Sequence, residues 1–68
     1  MARYYVNDTP QYNGDHEVHK EGCHWLSFVF SKKDLGYHSS CVFAILEAKR
    51  YYTKADGCKY CNKECHKS

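Results

Sequence analysis

The sequence predicts a small α+β domain over residues 1–68: an antiparallel sheet of two or three strands, one helix packed on it, and a metal-binding knuckle after the helix. Three observations carry this reading. Aromatic and β-branched segments bounded by turn formers fill the first half of the chain. One apolar stripe at helical spacing crosses residues 41–55. Five cysteines stand in a chain poor in aliphatic side chains, since Leu, Ile, Val and Phe number only 11 of 68 residues. Ordering a chain of this size costs on the order of 100 kcal/mol at about 1.5 kcal/mol per residue, so small domains usually add a disulfide, a metal or a partner. Net charge is only +2, so self-repulsion does not enforce disorder.

Taken in order, Arg3-Tyr4-Tyr5-Val6 reads as a strand and runs into two turn-rich stretches, Asn7-Asp8-Thr9-Pro10 and Asn13-Gly14-Asp15. Glu17-Val18-His19 reads as its antiparallel partner, and Gly22 turns the chain. A third strand falls either on Phe28-Val29-Phe30 or on Gly36-Tyr37-His38, the latter after a polar turn at Ser31-Lys32-Lys33-Asp34. Ser39 or Ser40 is a suitable N-cap. From there Cys41, Ala44, Ile45, Ala48, Tyr51, Tyr52 and Ala55 form the helical stripe, and Gly57 is placed to stop the helix. Trp25, Tyr4, Tyr5, Tyr51 and Tyr52 are expected to fill the small core. His24 and His38 are expected to face solvent.

The longest apolar run, Cys41-Val42-Phe43-Ala44-Ile45-Leu46, is far too short to span a bilayer, so no membrane role is expected. Arg3, Asn7, Asp8 and Pro10 leave no apolar leader, and the odd cysteine count does not suit a secreted disulfide scaffold. Both favour thiols in a reducing cytoplasm, where cysteines bind metals; the open alternative is a mature secreted product whose leader has been removed, with one cysteine left over as a free thiol.

The chemistry rests on two paired sets of soft ligands, His19-x-x-x-Cys23 and Cys58-x-x-Cys61. Tetrahedral zinc takes four N or S ligands, and Cys-x-x-Cys in a tight turn lets two thiolates grip one ion. A zinc site of three cysteines and one histidine, His19, Cys23, Cys58 and Cys61, would tie the strand end to the helix end, with its metal structural rather than catalytic. Glu17 or Glu21 could hold the second ring nitrogen of His19. Other arrangements stay open. His16 rivals His19, and Cys65 or His66 could complete a local site with Cys58 and Cys61. Cys23, Cys58, Cys61 and Cys65 could also hold an iron–sulfur cluster. Cys41, on the apolar stripe, reads as a buried thiol acting as a small hydrophobe.

The run His19-Lys-Glu-Gly-Cys23, then an irregular stretch, then Tyr37-His-Ser-Ser leading into an Ala-rich helix, then Asp-Gly-Cys58-Lys-Tyr-Cys61, resembles the small metal-binding domain of the bacterial Ada methyl-phosphotriester repair proteins. The resemblance covers roughly residues 17–61 and rests on spacing and order. It implies a metal site with Cys23, Cys58 and Cys61 as ligands. It does not imply methyl transfer, because the position of the family's acceptor thiolate is His19 here, and imidazole lacks both the attacking sulfur and its charge. The whole chain also looks like a family of small, uncharacterised bacterial proteins with a Tyr-rich first strand, a Gly-Asp-His-Glu-Val-His segment and a Gly-Cys-x-x-Cys ending, which implies no activity.

Charge divides unevenly: residues 1–48 balance to −2 and residues 49–68 to +4. Lys49, Arg50, Lys54, Lys59, Tyr60 and Lys63 are therefore the candidate nucleic-acid contacts, with lysines for phosphates and a ring for stacking. Asp15-His16-Glu17 makes no catalytic dyad by adjacency alone, and no enzyme is expected. The sequence thus predicts a monomeric structural-zinc module that recognises a protein or nucleic acid. The competing reading is a redox or metal sensor in which Cys65 or the Cys-x-x-Cys pair reacts.

Overall fold

The computed structural model describes residues 1–67. Strand β1 (Ala2–Asn7) is followed by β2 (His16–Lys20), a 3-10 helix (His24–Phe28), β3 (Lys32–His38), helix α1 (Cys41–Ala48), β4 (Ala55–Gly57) and a second 3-10 turn (Lys63–Cys65). The α+β class and single helix match the sequence reading, but the sheet has four strands in the order β3-β1-β2-β4 and is mixed. Strand β1 pairs antiparallel with both β2 and β3, whereas β4 runs parallel to β2. A parallel partner needs a long crossover, and the β3–α1 segment supplies it.

Side chains alternate across a strand, and this gives the sheet two different faces. Val6 pairs with Val18, and both are fully buried together with Tyr4 and Leu35 against Cys41, Ala44 and Ala48 of α1. Glu17 and His19 therefore project from the opposite face, as does Tyr5, the partner of His19. The core is thin because the helix contributes two alanines and a cysteine, and a small side chain buries little area.

Several expected elements shift. Of the two places expected for a third strand, Gly36-Tyr37-His38 lies in β3 and Phe28-Val29-Phe30 does not; β3 begins at Lys32, so Lys32-Lys33-Asp34 of the expected turn is strand. The helix ends at Ala48, and Tyr51, Tyr52 and Ala55 lie beyond it. Two tertiary contacts draw the chain off the helical path: Tyr52 donates its hydroxyl to Asp8 at 2.6 Å and stacks on His16 at 3.8 Å, while Ala55–Gly57 pairs with β2. Gly57 consequently ends β4 rather than the helix. A Cβ there would meet the Asn62 carbonyl oxygen and the Cys65 Cβ at 2.9 Å, so glycine is required by the close approach of the following turns. Ser40 holds the extended N-cap backbone without a capping side-chain bond. Of the aromatics expected in the core only Tyr4 is buried; Trp25 is 44% exposed and Tyr51 is 53% exposed. His38 is half-buried, within 2.7 Å of the Leu35 carbonyl, and His24 is exposed.

The largest correction concerns sulfur. Cys41 is not a free thiol but is joined to Cys65 by a disulfide across 24 residues of sequence, fastening the start of α1 to the C-terminal turn. No helix among the described residues is long and apolar enough to cross a membrane.

Candidate metal centre

The parallel register of β2 and β4 assembles the site. Val18 lies opposite Gly57, so the residues that follow them, His19 and Cys58, meet where β4 ends, and the Cys58 amide donates to the Val18 carbonyl at 2.9 Å. Beyond β2 a turn at Gly22, whose φ of 89° lies in the left-handed region that glycine adopts without strain, lets the Cys23 amide bond the Lys20 carbonyl at 3.0 Å. That turn points Cys23 back toward His19. The Cys58–Cys61 knuckle closes with the Asn62 amide on the Cys58 carbonyl at 3.0 Å. Backbone amides of Lys20 and Tyr60 donate to the sulfurs of Cys61 and Cys58 at 3.2 and 3.5 Å, an arrangement that favours thiolates.

The ligand atoms of His19, Cys23, Cys58 and Cys61 all lie within 4.8 Å of one another, a group that could hold a metal ion. Individual separations are 3.7 Å from Cys23 Sγ to His19 Nδ1, 3.9 Å from Cys61 Sγ to the same nitrogen, and 3.9 Å between the sulfurs of Cys23 and Cys58. Tetrahedral coordination at Zn–S of about 2.3 Å and Zn–N of about 2.0–2.1 Å needs S···S edges of about 3.8 Å and N···S edges of about 3.6 Å. These three separations lie within about 0.3 Å of such edges, so the group could hold a metal ion of that size. His19 Nδ1 faces the sulfurs, and Nε2 lies 3.5 Å from the Glu17 carboxylate, an orienting partner on the same sheet face.

Protonation follows from crowding three thiols and an imidazole. Burial pushes Cys58 up, and burial together with the neighbouring thiols pushes Cys61 up. At Cys23 burial also raises the thiol, but bonds from Cys61, His19, the Trp25 amide and Cys58 outweigh it and bring the group down to about 7. Burial lowers His19, yet Glu17 and Cys23 reverse this and leave it raised. One thiolate is thus stabilised by its neighbours while the others keep their protons.

The alternative ligands lie elsewhere. His16 stacks on Tyr52 and its Nδ1 is 2.9 Å from the Asn7 carbonyl. His66 sits 3.0 Å from the Gly57 carbonyl and 3.3 Å from Asp56. Cys65 is consumed by the disulfide, which also removes the fourth thiol from an all-cysteine iron–sulfur set. Cys41, Glu64 and Cys65 form a second close group, but its two sulfurs are bonded to each other and cannot both act as thiolates. The basic candidates have different neighbours. Lys54 Nζ reaches the Asn13 carbonyl, Arg50 pairs with Glu47, Lys49 borders a hollow with Lys67, and Lys59, Tyr60 and Lys63 line another on the knuckle.

Sequence reasoning passed over Asn62. Buried to 1% exposure, it donates its side-chain amide to the Val18 carbonyl at 2.6 Å, locking the knuckle onto β2. An asparagine after a Cys-x-x-Cys carries no local signal of that contact, which spans 44 residues. No protein-family model, curated protein or solved structure matches the chain.

Proposed function

We propose that the chain is a zinc-dependent interaction module whose metal is structural, held by His19, Cys23, Cys58 and Cys61, and that it performs no catalysis of its own. The observation that carries this is the convergence of three thiols and an imidazole from two distant segments, all within 4.8 Å, at spacings close to a tetrahedron's edges. With four protein ligands the ion has no open position for water or substrate. It would join β2 to the knuckle after β4. Structural zinc in small domains contributes about 10–16 kcal/mol at neutral pH, which exceeds what a core of this size supplies.

The reactive-thiol reading loses one of its candidates, because Cys65 is bonded to Cys41. A cytoplasmic setting requires that disulfide to resist reduction, and the burial of both residues, 1% and 5% exposed, hinders attack by a thiolate. Elemental analysis of protein purified without added metal should find one zinc per chain, and a strong chelator should remove most ordered structure by circular dichroism. Metal-free protein that keeps its structure would overturn the proposal.

A further inference from the structure

Beside the metal centre, on the sheet face that α1 does not cover, lies a hollow of about 310 Å³. Its floor includes Glu17, His19 and Asn7, and its walls include Trp25 and Phe28 from the first 3-10 helix and Tyr60 from the knuckle. The rings touch one another: Trp25 stacks on Tyr60 at 5.3 Å, which leaves each its outer face, and lies tilted 5.7 Å from Phe28, centroid to centroid. A small domain gains by burying such rings. Here Trp25, Phe28 and Tyr60 stay 44%, 68% and 64% exposed, so the wall is built but uncovered.

The charge of the hollow selects its occupant. Among the described residues no lysine or arginine lines it, although Lys59 Nζ stands 6.0 Å from the Tyr60 ring centroid, and Glu17, beside His19 Nε2, supplies a carboxylate. With metal bound, three thiolates, one neutral imidazole and a divalent ion leave the adjacent centre at a net charge of about −1. Aromatic faces beside a carboxylate attract soft cations, because the ring quadrupole presents negative charge to a cation within about 6 Å. A phosphate or carboxylate would meet repulsion from the same groups.

We propose that this hollow binds a methylated ammonium group, with Trp25, Phe28 and Tyr60 as the aromatic wall and Glu17 as the counter-charge. The inference rests on the metal-ordered knuckle proposed above, since Tyr60 lies between two of its cysteines. Quaternary ammonium fits better than a primary amine because it is weakly hydrated and loses little on leaving water. Nothing is transferred in this step: the cation docks and water is released.

The test uses the zinc-loaded chain, with metal content measured separately so that failure to bind metal is not confused with failure to bind the cation. Trp25 is the only tryptophan, so its fluorescence reports on the hollow directly. Titration with choline, with its neutral carbon isostere 3,3-dimethylbutanol, and with a trimethyl-lysine peptide beside its unmodified form covers both sources of the group. At least one of the two cations should saturate below about 10 mM, and the neutral isostere should bind at least about tenfold more weakly. Phe28→Leu and Tyr60→Leu keep apolar bulk but remove a ring, and each should weaken binding about 2- to 30-fold with zinc content unchanged. Equal binding of choline and its isostere would overturn the proposal. So would a response to single-stranded oligonucleotide, suppressed by salt, in the absence of any response to the cations. If choline binds and the peptide does not, the group is taken from a free small molecule; the reverse result assigns it to a protein partner.

Discussion

Replacing both Cys41 and Cys65 by alanine tests the disulfide as a second staple. Unfolding releases the metal, so in the unfolded reference state the chain is cross-linked by the disulfide alone. A bridge spanning 24 residues removes chain entropy worth about 3.4 kcal/mol at 25 °C. A domain of 68 residues is ordinarily stable by roughly 3–10 kcal/mol, so the loss is a third or more of an ordinary domain's stability and is tolerated only while the ion is bound. We expect the zinc-loaded double variant to remain folded, with its urea midpoint lowered by an amount equivalent to about 3 kcal/mol and little change in denaturant slope. Once stripped of zinc both proteins should lose most ordered structure, the wild-type chain alone keeping residues 41 and 65 joined by the bridge. The companion assay counts thiols in denaturant with chelator and without reductant. Three should react, those of Cys23, Cys58 and Cys61. Five reactive thiols, or a double variant within about 0.5 kcal/mol of wild type, would refute the reasoning and return Cys41 to the role of a buried thiol.

Three further outcomes rest on named contacts. Zinc affinity should drop by about 100-fold or more per unit as pH falls from 8 to 6, because Cys58 and Cys61 keep raised protonation in the empty site and both must release a proton to ligate; competition with a chromophoric chelator measures the slope, and a change below tenfold per unit would contradict it. Gly57→Ala should cost about 1–3 kcal/mol, since the new methyl meets backbone and Cβ atoms at 2.9 Å rather than a flexible chain end; an unchanged urea midpoint would show that the turn relaxes freely. Tyr52→Phe should destabilise at neutral pH and lose its effect in acid. The Tyr52 hydroxyl, aided by Ser31 and Lys33 against a smaller opposing effect of burial, holds the Asp8 carboxyl below its ordinary value. Its contribution is therefore present above the ordinary carboxylate range and lost as pH falls through the lowered value. Thermal unfolding at neutral and acid pH checks this, and a loss that persists undiminished in strong acid would count against the Asp8 bond.

Local pattern carried the elements whose signal is local. Arg3–Val6 and Glu17–His19 announce strands through their side chains, and Cys41, Ala44, Ile45 and Ala48 announce the helix through their spacing. The four ligand candidates were legible because soft donors at close spacing are rare by chance and a short, aliphatic-poor chain needs a cross-link. Composition alone set that need.

What only the tertiary structure decided are the contacts between segments that no spacing rule connects. The helical period runs on through Tyr51, Tyr52 and Ala55, but Asp8 and His16 claim Tyr52, and β2 claims Ala55–Gly57 for a parallel strand. The same three-residue pairing carries Cys58 to His19, so losing the last turns of the helix is a condition for assembling the site. Cys41 and Cys65 look like a hydrophobe and a spare ligand until the helix packs and brings their sulfurs together. Sequence determines which side chains need partners, through their polarity, size and pairing chemistry. Which partner each one obtains depends on the path of the whole chain, because a bond between distant residues forms only where every intervening segment can also be satisfied.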